Sequence, residues 1–219
     1  MTAEITLDLV KRFPSNGPTD PIRYYRRPLT GWLFRERINL GLRMLRDLRF
    51  ERALEIGYGS GAVQVPLHGV AAEVHGIDLD ADPALATSIL DALSLKSELR
   101  QGSVYELPYP DAHFDLVASF STFEHLHDFE KALSEVRRVL RPGGRFLLGM
   151  PAVNKMMEVS FLAIGFKGID DHHVTTPQQV AARFHANGFV VDDQARLTLP
   201  IPTVPGATVY YDWLLRRTP

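Results

Sequence analysis

The chain has 219 residues, with 24 Lys and Arg against 26 Asp and Glu and no cysteine. That length suits one globular domain, or a domain with a capping subdomain, and a formal net charge of −2 argues against a general nucleic-acid binder. Disulfides and thiolate metal sites are excluded, and neither a signal-peptide pattern nor an apolar run of the roughly 20 residues that span a bilayer is visible, so a cytoplasmic protein is expected.

In chain order, residues 1–52 come first and are basic, with eleven Lys and Arg against six Asp and Glu. Between Tyr24 and Arg49 the basic residues alternate with Tyr25, Trp32, Leu33, Phe34, Leu40 and Leu42, and Arg35 to Leu48 reads as an amphipathic helix. Such a helix can pack on a sheet edge as a cap, or dock residues 24–49 on an anionic membrane or a lipid-like substrate. Next, Ala53-Leu54-Glu55-Ile56 is a buried-strand pattern that breaks into Gly57, Gly59 and Gly61. Alternating glycines allow a tight turn and close approach of a ligand to the backbone, and Ala62 to His68 is expected to start a helix beyond it. Val74 to Ile77 is a second strand, ended by Asp78.

Strand, glycine turn and acid together make a nucleotide-cofactor cradle. Gly57, Gly59 and Ala62 satisfy the dinucleotide pattern, while Glu55 ahead of three alternating glycines satisfies that of S-adenosyl-L-methionine (SAM) enzymes. The glycines alone leave both open. Downstream, Phe114 to Ser119 is a strand, and Asp128 to Leu140 a helix with one apolar stripe. Arg141-Pro142-Gly143-Gly144 is a stop and turn, and Arg145 to Met150 a further strand. Thr176-Pro177 caps a helix running to Ala186; Phe189-Val190-Val191 and residues 208–215 are the last strand candidates.

The phrases LEIGYGSG, GIDLD, LPYPDAHFDLV, FEHLHD and LRPGGRFLL, in this order, resemble the class I SAM-dependent methyltransferases of type 11, in particular the subgroup that includes the ubiquinone and menaquinone biosynthesis enzymes. The resemblance covers residues 50–150 strongly and 175–192 weakly. It implies an α/β, Rossmann-like, doubly wound sheet of seven strands, mostly parallel, with an antiparallel hairpin at one edge. It divides the chain into a helical cap, 1–50, and a SAM-binding core, 51–219, with a lid insertion at about 152–175.

The resemblance also implies SAM as cofactor and methyl transfer to O, N or C of a small, apolar or aromatic acceptor. Glu55 would order the loop and bond the cofactor's amino group through backbone or water, Gly57 and Gly59 would let the methionine part lie against the backbone, and Gly61 completes the cofactor-binding motif. Tyr58 would narrow the entrance. Asp78 would take the ribose hydroxyls, and Leu79, Ser103 and Val104 would surround the adenine. Ser103 stands where the family usually has Asp. Phe120, Glu124 and His125 would face the site beyond the fourth strand, with the Glu124-His125 pair near the methionine end. His125, His172 and His173 are the candidate bases. Asp170-Asp171-His172-His173 carries metal-competent groups, but neighbouring side chains diverge and no metal is expected. Two alternatives stand beside this reading. One is a SAM-binding partner protein without catalysis. The other is an NAD(P)-dependent oxidoreductase, against which no Tyr-x-x-x-Lys pair occurs. Oligomeric state is not legible.

Overall fold

The structure, a computed structural model, describes residues 4–18, 20–28, 30–152, 173–199 and 208–219. Among them are seven strands: β1 (Phe50–Ile56), β2 (Ala71–Asp78), β3 (Ser97–Gln101), β4 (Phe114–Phe120), β5 (Leu140–Pro151), β6 (Phe189–Thr198) and β7 (Thr208–Arg217). They form one sheet in the order β3-β2-β1-β4-β5-β7-β6. β1 to β5 pair in parallel, and β7 runs antiparallel to both of its neighbours. This is the expected doubly wound sheet with its edge hairpin. From β1 the chain winds outward to β2 and β3, then returns to β4 on the other side of β1. The crevice at the carboxyl ends of β1 and β4 is therefore the switch point where such sheets bind ligands.

Every residue of β4 is buried, as a central strand covered on both faces requires. Alternate residues feed two cores. Ala53, Leu116, Ala118 and Leu147 pack with the N-terminal segments, among them Phe34, Ile38 and Leu42. Leu54, Val117, Phe146 and Leu148 pack on the opposite face with Leu133, Val136 and Val139.

The helices are α1 (Leu7–Val10), α2 (Ile22–Tyr25), α3 (Gly31–Arg43), α4 (Gln64–Leu67), α5 (Pro83–Ala92), α6 (Phe129–Val139) and α7 (Pro177–Ala181). α6 starts where Asp128 accepts the Lys131 amide, and α7 at a capping box between Thr176 and Gln179. The apolar side of α3 is spent on the core. Its Arg37 is buried with the guanidinium carbon 4.9 Å from the Phe34 ring, 5.6 Å from Tyr25 and 5.3 Å from Tyr210 of β7.

Several boundaries differ from expectation. The helix expected from Arg35 begins earlier, at Gly31, and ends at Arg43. The helix after the glycine turn is one turn long. The expected stop at Arg141–Gly144 is absorbed as an irregularity within β5, where pairing shifts from Phe114↔Leu140 to Leu116↔Arg145. β6 continues to Thr198 because β7 offers it a full antiparallel ladder. The expected lid lies outside the described residues, except Ala152 and residues 173–175.

Away from the switch point, Asp115 ties the sheet together. Its Oδ2 accepts the amides of Glu51 and Arg52, both at 2.8 Å, and its other oxygen pairs with Arg141. Asp115→Ala leaves two backbone donors without this acceptor and is expected to cost about 2 kcal/mol. Urea unfolding checks this, and an unchanged midpoint would show that water replaces the carboxylate without loss.

Candidate functional site

A cleft of about 370 Å³ opens at the switch point, walled by the glycine loop, the ends of β2 and β4, and the N-terminal segments. The loop backbone is left-handed at Gly57, Gly59 and Gly61, with φ of 80°, 50° and 89°. At Gly57 the demand is also steric, because a Cβ there would overlap Thr122 Oγ1. Asp78 holds the loop from the next strand. Its Oδ2 accepts the Gly59 amide at 2.9 Å, and its Oδ1 accepts the amides of Asp80 and Ala81 at 2.9 and 3.0 Å.

Glu55 points beneath the loop, where Gln64 Nε2 donates to its Oε2 at 2.6 Å. Burial, reinforced by the charge of Asp78 and opposed by the Gln64 bond, pushes the Glu55 carboxyl up to about 8. The acid is therefore protonated at neutral pH. The Tyr58 ring is 3% exposed and packs with Ala81 and Ala86. Its side chain is thus part of the core and does not narrow the entrance, contrary to expectation.

At one end the cleft is bounded by Leu79, Gly102, Ser103, Val104 and Tyr105. Leu79 is 64% exposed, and Ser103 Oγ accepts the Tyr105 amide at 3.2 Å. At the other end stand Phe120, Ser121, Thr122 and His125. Ser121 follows β4 with φ of 54°; its hydroxyl lies 3.0 Å from that of Tyr210.

Glu124 is buried, and its Oε2 has no hydrogen-bond partner. Burial raises its carboxyl, while His125 and Arg37 oppose the rise. His125 Nε2 is 3.9 Å from Glu124 Oε1, and the rings of His125 and His173 are 5.2 Å apart. Residues 173–175 are held there because the amides of Val174 and Thr175 donate to the Glu124 carbonyl and Thr175 Oγ1 donates to that of Leu126. Glu124, His125 and His173 thus bring ligand-type atoms within 4.8 Å of one another. The run Asp170–His173 had drawn attention as a unit, but only His173 of it is described.

Of the expected cofactor contacts, Glu55, Gly57, Tyr58, Gly59, Asp78, Leu79, Ser103, Val104 and Phe120 line the cleft. Gly61 does not; a Cβ on it would face Ala86 at 3.4 Å and Phe13 at 3.7 Å. Among the expected bases, His125 lines the cleft, His173 stands beside it, and His172 lies outside the described residues.

Tyr25 and Ile38 of the expected N-terminal cap line the cleft, whereas the sequence reading missed Asp20, Pro21 and Ile22 beside them. It also missed Asn16, whose Nδ2 donates to the carbonyls of Gly59 at 2.9 Å and Asp82 at 3.0 Å while its Oδ1 accepts the Asp82 amide. Asn16, Asp20 and Pro21 lie outside the helices, with no motif to mark them.

Residues 54–148 match the family model described as a methyltransferase domain. A probable S-adenosylmethionine-dependent methyltransferase of Mycolicibacterium smegmatis is 40% identical over 98 residues, 45% of this chain and 37% of that protein. A demethylmenaquinone methyltransferase of Deinococcus radiodurans is 35% identical over 100 residues, 44% of this chain and 42% of that protein. The match thus spans less than half the length of these curated relatives. Among solved structures, the YcgJ protein of Bacillus subtilis superposes with a TM-score of 0.63 at 21% identity, covering 84% of this chain and 99% of that one. A [4+2]-cyclase, SpnF, superposes with 0.68 at 16% identity, covering 93% and 86%.

The cofactor implied by this resemblance is SAM, and the residues fit it. The loop has glycine where a Cβ would intrude, Asp78 stands at the end of β2, and Leu79 is bare beside it. Residues 54–148 thus resemble the methyltransferase domain of these SAM-dependent relatives, and the sheet is shared with the solved structures.

Proposed function

We propose that the chain transfers a methyl group from SAM to a small, apolar or aromatic acceptor in the cytoplasm. One observation carries this over the dinucleotide reading. The described lining of the cleft includes Asp20, Asp78 and Asp80, beside the protonated Glu55, and neither Lys nor Arg. Such a wall disfavours a pyrophosphate and favours a ligand carrying positive charge. When bound, SAM supplies a methyl group on a positively charged sulfur, open to in-line attack. The protein's share is then mostly positioning.

In this reading Gly57, Gly59, Phe120 and Thr122 flank the methionine part, Asp78 receives a ribose hydroxyl with the one acceptor direction left on Oδ2, and Leu79, Ser103 and Val104 surround the adenine. Glu55 acts from below as a neutral support of the loop. His125, backed by Glu124 and with His173 beside it, is the group within the cleft suited to hold the acceptor's proton. Tyr25, Ile38 and Phe120 give the acceptor end an apolar and aromatic lining. Two relatives are named for action on demethylmenaquinone and 27-O-demethylrifamycin SV, which supports an aromatic acceptor. The residue 1–50 segment serves as a cap in this proposal, since Phe34, Ile38 and Leu42 of α3 are buried. Lipid contact would rest on Trp32, which is 52% exposed. Because a [4+2]-cyclase shares the fold, SAM binding without methyl transfer is the second reading.

Thermal unfolding with S-adenosylhomocysteine, NAD and NADP tests the cofactor. At about 100 times its dissociation constant a ligand stabilises by roughly 2.7 kcal/mol, a midpoint rise of about 5–10 °C for a chain of this size. The rise is expected with S-adenosylhomocysteine alone, and a rise with a dinucleotide alone would sink the proposal. Transfer of labelled methyl from SAM to demethylmenaquinone or a related phenol separates the enzyme from the binding protein.

Glu55 offers a pH test. The folded protein holds its proton up to about pH 8, while the unfolded chain releases it near 4.5. Its contribution to stability is therefore complete below the unfolded value and is lost as pH rises through the folded one. Glu55→Gln abolishes this loss, so its melting temperature is expected to gain on the wild type between about pH 5 and 8.5. A difference independent of pH would show that Glu55 is ionised in the fold.

A further inference from the structure

We propose that Asp20, from the N-terminal segment, is the carboxylate that receives the α-ammonium group of SAM. The inference rests on the methyltransferase reading and concerns how the cleft recognises that cofactor.

Four acids line the cleft; two are otherwise engaged and a third is exposed. Glu55 is protonated by burial and holds the Gln64 amide. Asp78 accepts three backbone amides of the loop that it supports. Asp80 is exposed at the rim.

Asp20 differs from all three. It is 8% exposed and stands across the glycine loop, where a Cβ on Gly59 would come within 3.5 Å of its Oδ1. Oδ2 accepts the Asn16 amide at 2.8 Å and Oδ1 the Ile22 amide at 3.0 Å. One bond to each oxygen leaves both with an unused acceptor direction.

The surroundings call for a positively charged N–H donor. Burial, strengthened by repulsion from Asp78, pushes the Asp20 carboxyl up to about 6; the amides of Asn16 and Ile22 and the charge of Arg26 only partly oppose this. A cation in the cleft relieves both causes. Of the two cationic groups of SAM, the sulfonium has no proton to donate, whereas the ammonium has three. The spare lone pairs of Asp20 therefore select the ammonium.

The carboxylate is also held in place. Asn16 latches the segment to the Gly59 carbonyl and, through two bonds, to Asp82 at the start of α5. The residue is thus fixed to the same loop that bears the cofactor, rather than carried on a free arm.

Calorimetric titration of wild type and Asp20→Asn with SAM, S-adenosylhomocysteine and 5′-methylthioadenosine tests the assignment. The first two carry the α-ammonium and the third lacks the amino-acid part. A charge-assisted hydrogen bond is worth about 1.5–3 kcal/mol, so Asp20→Asn is expected to weaken SAM and S-adenosylhomocysteine alike by roughly 10- to 100-fold. Methylthioadenosine should change by less than about 2-fold.

Equal loss on all three ligands would overturn the proposal, since the residue would then act through the segment's folding or the ribose. Loss on SAM alone would move the contact to the sulfonium and overturn it too, as would no loss at all. Asn16→Ala, which loosens the segment but keeps the carboxylate, is the comparison and should weaken the three ligands together. If wild type binds none of them, the methyltransferase reading fails before Asp20 is tested.

Discussion

The cleft depends on the carboxylate of Asp78 and the three amides it gathers. Parallel pairing sets Ile56 beside Ile77, so the glycine turn leaves β1 next to the residue that ends β2. The Gly57 amide donates back to the Ile77 carbonyl at 2.8 Å, and Gly59, Asp80 and Ala81 donate to Asp78. One side chain thus binds two turns that would otherwise carry unpaired donors at a sheet end. Left-handed backbone at the glycines permits the loop, and this carboxylate gives it one shape.

The wall opposite is built from a different part of the chain. Asn16, the α2 segment from Asp20 to Tyr25 and α3 come over the loop, latched by Asn16 and packed through Ile22, Tyr25 and Ile38. Their apolar residues belong to the same core as Ala53, Leu116 and Ala118, so cofactor wall and sheet face are stabilised together. The basic surplus of the first 52 residues does not enter the cleft lining; Arg37 is instead consumed by the rings of Phe34, Tyr25 and Tyr210. What faces the cleft from this segment is an acid, Asp20, and in the proposed function it complements a cationic cofactor.

The sheet was largely legible because its signals are local. The strands β1, β2 and β4 are short apolar runs ended by glycine, acid or serine, and α6 shows a clean apolar stripe. Ends set by pairing were not legible. β6 reaches Thr198 only because β7 lies beside it, and its mostly exposed residues carry no apolar alternation to announce a strand. The same split runs through the site. Gly57, Gly59 and Asp78 belong to a contiguous motif, whereas Asp20 and Asn16 reach the loop from 43 residues away in the case of Asn16. Gln64, which engages Glu55 from α4, belongs to no motif and was not legible. Tyr58 reads as an obstacle at the entrance because sequence does not say which side of the loop a ring will take.

A crystal structure with S-adenosylhomocysteine tests the central claim most directly. The account expects one molecule per chain in this cleft, its ribose at Asp78, its adenine beside Leu79 and Val104, and its amino-acid end between Gly57, Phe120 and Asp20. A molecule bound elsewhere, or an unchanged empty cleft at saturating ligand, would contradict the reading of the switch point as a SAM site.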